Sequence, residues 1–148
     1  MFWPFTRRPP KDAEPLAKHL QTGRLAEQAA ERFLRKAGHK TVARNVAYRQ
    51  GEVDLVTIDK RTRTLCFVEV RSRAVPEGKT PEIAPEETVT LRKRRRVISA
   101  AKKFLADRHV VDQAVRFDVI SVVYAGEDRK RPVIRHFPAA FDSTGIKT

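Results

Sequence analysis

Apolar residues recur with helical spacing at Ala26, Ala30, Phe33, Leu34 and Ala37, which predicts a helix over residues 22–37. Thr22 is its expected N-cap and Gly38 its stop. The pattern then shifts to strands. Three are predicted over residues 41–49, 52–59 and 64–72, with Asn45 interrupting the first. Gln50-Gly51 supplies a tight connection between the first two, and Asp59-Lys60-Arg61 a turn between the second and third. Prolines and glutamates over residues 74–87 read as a loop. A second helix is predicted over residues 91–107, with Thr90 as N-cap and Val97, Ile98, Ala101, Phe104 and Leu105 as its apolar stripe. A β-branched strand over residues 114–124 follows, and then a short one over 132–137 that begins with proline and so belongs at a sheet edge.

The order α-β-β-β-α-β-β predicts an α/β domain with a mixed central sheet flanked by helices. The domain is expected over residues 20–141, between a proline-bearing flexible leader (1–19) and a loose tail (142–148). The chain has 148 residues, enough for one core without staples. Its single cysteine, Cys66, lies in the apolar run Leu65-Cys66-Phe67-Val68 and reads as a buried apolar residue, so nothing argues for secretion. The apolar start Met1-Phe2-Trp3-Pro4-Phe5 runs at once into Arg7 and Arg8, too short for a signal peptide, and no apolar run is long enough to span a membrane. A cytoplasmic protein is expected.

Charge narrows the partner. A formal net charge of +13 concentrates polyanions at the surface. Nucleic acid is the commonest such partner, ahead of anionic membranes and acidic proteins.

The candidate chemistry lies in Gly51-Glu52-Val53-Asp54-Leu55 and Phe67-Val68-Glu69-Val70-Arg71. Asp54 and Glu69 each sit inside an apolar strand, where a carboxylate is costly unless it is paired, hydrogen-bonded or metal-bound. The two strands are expected neighbours, so these carboxylates converge, with Arg71 on the same strand face as Glu69. Mg²⁺ suits such a place, because it takes oxygen ligands and needs only one or two carboxylates. An ion pair of Arg71 with Asp54 or Glu69 accounts for the same residues about equally well. Glu27 reads from spacing alone as an ordinary flank residue of the first helix.

Arg92-Lys93-Arg94-Arg95-Arg96 opens the second helix, where cations oppose the helix dipole. Lys93 and Arg94 share helical register with Val97, Ile98 and Ala101, which turns them toward the sheet. An incoming phosphate would relieve the repulsion, so this run is the expected phosphate contact. Arg116 and Asp118 share a strand face and are expected to pair. The four histidines show no metal-ligand spacing.

Gly23-x-x-x-Glu27-x-x-Ala30, Gly38, Asn45, Gly51-Glu52-Val53-Asp54-Leu55, Phe67-Val68-Glu69-Val70-Arg71-x-Arg73, Lys93, Arg116-Phe117-Asp118-Val119 and Ala140-Phe141 together resemble the YraN family of small bacterial proteins. That family is similar to the restriction-endonuclease-like fold, in particular archaeal Holliday-junction resolvases. The resemblance implies a metal-dependent endonuclease acting on duplex or branched DNA, with Mg²⁺, or Mn²⁺ in its place, as cofactor. Asp54 and Glu69 would hold the ion. Glu27 would be a further ligand or hold a coordinated water, and Arg71 would stand where the superfamily pattern has lysine. Arg73, Arg92, Lys93, Arg94, Arg95 and Arg96 would contact nucleic acid, and a homodimer would be in keeping with the fold. Arginine keeps a charge but cannot serve as a base. The rival readings are a DNA-binding module of the same fold without catalysis and an adaptor for acidic partners.

Overall fold

The computed structural model describes residues 14–76, 78, 89–126 and 131–143, with side chains from Gly23 onward. The elements are α1 (Glu14–Lys36), β1 (His39–Tyr48), β2 (Gly51–Asp59), β3 (Thr64–Val75), α2 (Leu91–Asp107), β4 (Val115–Ala125) and β5 (Val133–Phe141). This is the expected series, in the restriction-endonuclease-like arrangement. The strands form one sheet in the order β1-β2-β3-β4-β5. β1, β2 and β3 are an antiparallel meander, β4 runs parallel to β3, and β5 returns antiparallel at the edge. A parallel neighbour cannot be reached through a hairpin, and α2 lies in the crossover between β3 and β4.

Each sheet face carries one helix. α2 buries Val97, Ile98, Ala101 and Phe104 against Val53, Val56, Phe67 and Val119. α1 buries Ala26, Ala30 and Leu34 against Leu55, Cys66, Val68 and Ile120. β3 and β4 are therefore covered on both faces, which explains their continuous apolar runs. Full burial of a Leu, Val or Phe side chain in these layers contributes roughly 1.5–3 kcal/mol. Among the described residues, no helix is long and apolar enough to cross a membrane.

Four expectations change. α1 begins at Glu14, so Thr22 lies inside the helix and is not its cap. Pro15 falls in the first turn, where a missing N–H costs nothing, and a proline-bearing stretch thus starts a helix. Gly38 does end it, at φ +96°, with the Gly38 N–H donating to Arg35 O. The first hairpin turns at Arg49-Gln50, since Gly51 already pairs with Tyr48. β5 starts at Val133 and reaches Phe141, four residues beyond 137. Ala74 and Val75 extend β3. Most of the loop read over 74–87, the leader before Glu14 with its Trp3, and the tail after Ser143 lie outside the described residues.

Gly51 has a packing role. A Cβ there would stand 1.8 Å from the Arg96 carbonyl oxygen of α2, a backbone atom. Absence of a side chain lets α2 close on β2, and this seats the first turns of α2 beside Glu52 and Asp54. Gly51→Ala is expected to cost at least about 2 kcal/mol by forcing the helix away. Urea unfolding would detect that loss, and an unchanged midpoint would show that the contact carries no such strain.

Candidate active site

The β2–β3 ladder runs from Asp59↔Thr64 to Leu55↔Val68 and then stops. One step further along stand Asp54 and Glu69. There β3 leaves β2 and stays with β4, to which it is paired as far as Val75↔Ala125. Asp54 fills the split: its Oδ2 accepts the Val70 backbone N–H at 2.8 Å, in the position of a ladder partner. Both carboxylates are thus set by backbone geometry, at the point where two strands diverge.

Glu69 is 2% exposed, and its Oε2 has no hydrogen-bond partner among the described residues. Burial, with the Asp54 charge beside it, pushes its carboxyl up to about 8. Burial also raises Asp54, against the pull of the Val70 N–H and Lys93. A hydrogen bond between the two carboxyls also raises Glu69 and lowers Asp54, so the pair shares a proton, and two desolvated carboxyls held together in this way are a donor set that a hard cation could take over from that proton. Mg²⁺ fits this donor set with two protein oxygens and water for the rest. Among the described residues no three His, Cys, Asp or Glu side chains form a ligand cluster, so the pair is the core of the site.

Lys93 turns toward the sheet, as its register predicts. It belongs to the basic run, but its Nζ lies 3.0 Å from Glu52 Oε1 and 3.7 Å from Glu69 Oε1. Burial disfavours its charge, yet Glu69 and Glu52 hold its pKa above the ordinary lysine value. Thr90 caps α2 by accepting the Lys93 N–H at 3.2 Å. The first turn contains no acid, so the carboxylates of β2 and β3 offset the repulsion between the dipole and these cations. The register read from the sequence, with Lys93 one turn before the buried Val97, gives this direction; the Glu52 and Glu69 partners come from the fold. Arg71, at the expected lysine position, is half-exposed, and its Nη1 comes only to 3.9 Å from Glu69 Oε1.

Glu27 approaches from the α1 side. Burial and the Asp54 charge raise its pKa, and a hydrogen bond with Asn45 and the charge of Arg24 oppose the rise. Asn45 adopts φ +47°, a left-handed conformation that asparagine tolerates. The residue that broke the strand pattern therefore lies beside Glu27 in the groove between α1 and β1. Asp54 senses Lys93 of α2 and also raises Glu27 of α1, so the split connects the two faces of the sheet.

The remaining cations divide. Arg92, Lys93 and Arg96 line a cavity of about 300 Å³ with Arg71 and Thr90. Arg94 is engaged in structure: its Nε donates to Val89 O at 3.1 Å and its guanidinium lies 5.6 Å from the Phe141 ring centroid. Arg73 and Arg95 are exposed. Arg116 and Asp118 pair as expected, at 2.8 and 2.9 Å. The fully buried Asp118 also accepts from the Ala139 N–H and bonds His136 Nε2 at 2.8 Å. His39 bonds Thr57 through Nδ1 at 2.9 Å. These histidines join a polar network that ties β1, β2, β4 and β5 together, away from Glu69.

The profile of the uncharacterised protein family UPF0102 matches residues 26–122, which include the whole acidic split and Lys93. A UPF0102 protein of Anaeromyxobacter sp. (strain Fw109-5) is 42% identical over 83% of this chain and 86% of its own length. One of Myxococcus xanthus is 39% identical over 86% of this chain and 94% of its own length. One of Rhodopirellula baltica is 31% identical over 87% of this chain and 75% of its own length.

Proposed function

The chain belongs to the uncharacterised protein family UPF0102, the YraN family, and from the acidic split we infer a metal-dependent endonuclease that hydrolyses phosphodiester bonds of duplex or branched DNA. The observation that carries this reading is Glu69: a buried carboxyl set beside a second one, Asp54, where the sheet splits, in a protein of net charge +13.

Asp54 and Glu69 would hold Mg²⁺ or Mn²⁺. When bound, the ion supplies Lewis-acid polarisation of the phosphodiester and lowers the pKa of water. The reaction adds water to phosphorus and breaks one P–O bond, and the departing oxygen takes up a proton. Asp54 keeps its orientation through the Val70 N–H. Lys93 stands beside Glu69 and faces the charge that builds on the phosphoryl oxygens in the transition state. Arg71, Arg92 and Arg96 draw the phosphate backbone to the same mouth. Glu27, steadied by Asn45, orients water from the α1 side.

A DNA-binding module without catalysis is the second reading. It is favoured by Arg71 at the position of the superfamily lysine and by the absence of a third acidic ligand among the described residues. Purified full-length protein incubated with labelled duplex, single-stranded and four-way-junction DNA separates the two. Cleavage is expected with Mg²⁺ or Mn²⁺ and none with chelator. Tight, salt-sensitive binding without cleavage in any metal would move the assignment to the module.

A further inference from the structure

A groove of about 600 Å³ between α1 and β1 is lined by Arg24, Arg32, Arg35 and Arg44, with Glu27 and Glu31. Its four guanidinium groups outnumber its two carboxylates. Glu31 is already engaged: Arg44 donates to it from Nε at 2.6 Å and from a second nitrogen at 2.7 Å, and Arg35 stands at 3.0 Å. Arg24 and Arg32 are exposed. Positive charge therefore faces solvent along one side of α1, over a floor whose own charge is matched.

The groove has the length and position of a track. Arg24 and Arg35 stand about 16 Å apart at the rise of an α-helix. One strand of B-DNA presents a phosphate about every 3.4 Å along the axis, so several successive phosphates fit that span. Glu27, Asn45 and Leu55 line the groove, and Leu55 follows Asp54 directly in β2, so the groove reaches the strand position next to the acidic split. The α2 cavity with Arg71, Arg92 and Arg96 lies on the other side of the same split.

We propose that the α1–β1 groove is a second phosphate-backbone site, so that nucleic acid is held on both sides of Asp54 and Glu69 by basic surfaces from opposite faces of the sheet. This rests on the nucleic-acid reading and adds where the substrate's second arm lies. Planar guanidiniums along a helix suit regularly repeated phosphates, each accepting two donors, better than the irregular carboxylates of an acidic protein.

The test is fluorescence anisotropy with the full chain, using a labelled 20-base-pair duplex and a four-way junction, with Ca²⁺ replacing Mg²⁺. Arg32→Glu and the double variant Arg24→Ala/Arg32→Ala are compared with Lys60→Glu, an equal charge change in the turn after β2, at the far end of the β2–β3 ladder. Arg32→Glu is expected to weaken binding about tenfold, and the double variant to flatten the salt dependence by about one to two phosphate contacts. Lys60→Glu should stay within about twofold, as a distant charge screened by salt. Arg32 is exposed, and a thermal melt confirms that each variant folds. Equal losses in Arg32→Glu and Lys60→Glu would overturn the groove while leaving the nuclease reading intact. Displacement of DNA by polyglutamate at equal charge concentration would overturn it in favour of an acidic protein. A wild-type protein that binds neither DNA would remove the groove together with the nucleic-acid reading.

Discussion

Glu69→Gln is expected to abolish metal-dependent cleavage, by at least about 10³-fold, and at the same time to stabilise the metal-free protein. The first effect follows from removing one of two carboxylates that hold the ion, since loss of even an outer partner of a metal ligand commonly costs about 10–100-fold. The second follows from burial. Metal-free, Glu69 must either carry a desolvated charge beside Asp54 or take up a proton. Its pKa stands near 8 in the folded chain against an ordinary 4.5, so between those values the folded state binds the extra proton. Stability from that proton is fully present below about pH 4.5 and is lost as pH rises through about 8. The metal-free wild type should therefore lose melting temperature from pH 5.5 to pH 8.5, and Glu69→Gln should lose much less. Added Mg²⁺ should raise the wild-type melting temperature at pH 8.5, by an amount equivalent to about 2.7 kcal/mol at a hundred times its Kd, and leave the variant unmoved. A variant less stable than wild type in chelator at pH 8.5 would mean that Glu69 is a structural anchor. Retained cleavage would remove it from the site.

The trade between stability and function explains why this part of the site was legible in the sequence. Asp54 and Glu69 break the apolar pattern of two strands, and a carboxylate there needs a partner, whether a cation side chain or a metal ion. The element order, the span of α2 and the Thr90 cap were legible because each depends on local periodicity or a local hydrogen bond. The missed features depend on contacts between elements far apart in sequence. The clash that reserves Gly51 for glycine comes from the Arg96 carbonyl, which no pattern around residue 51 reveals. Asn45 announces itself only as an interruption, and its hydrogen bond to Glu27 needs α1 and β1 to be adjacent. The start of α1 was hidden by Pro15, a residue that punctuates loops and also opens helices. Glu27 is ambiguous on its own helix and becomes a candidate only through the fold that brings Asp54 within its electrostatic reach.

Lys93 is the residue whose role turned most on tertiary structure, and Lys93→Met is expected to lower the single-turnover cleavage rate by about 10²–10³-fold, the usual effect of removing one group that meets transition-state charge. Two cations compete for that task. Arg71 is nearly half exposed and reaches Glu69 only at 3.9 Å, while Lys93 is a quarter exposed and lies 3.7 Å from Glu69 with Glu52 holding it at 3.0 Å. A charge shielded from water acts more strongly on a phosphate than one that water screens. Arg71→Ala should therefore weaken DNA binding in Ca²⁺ more than it slows the chemical step. Lys93→Met should do the reverse, with binding within about threefold, since a single phosphate contact contributes little to total affinity. Lys93→Arg tests geometry at constant charge. If only charge matters, it restores most of the rate; if the compact ammonium between Glu52 and Glu69 matters, the longer planar group fails to fit and the rate stays low. Removing Lys93 also leaves Glu69 without its nearest cation, so a melt in Mg²⁺ must accompany the kinetics to separate lost folding from lost chemistry. Cleavage by folded Lys93→Met at a rate within about threefold of wild type would return the lysine's role to Arg71 and leave Lys93 as a counter-charge for the carboxylates.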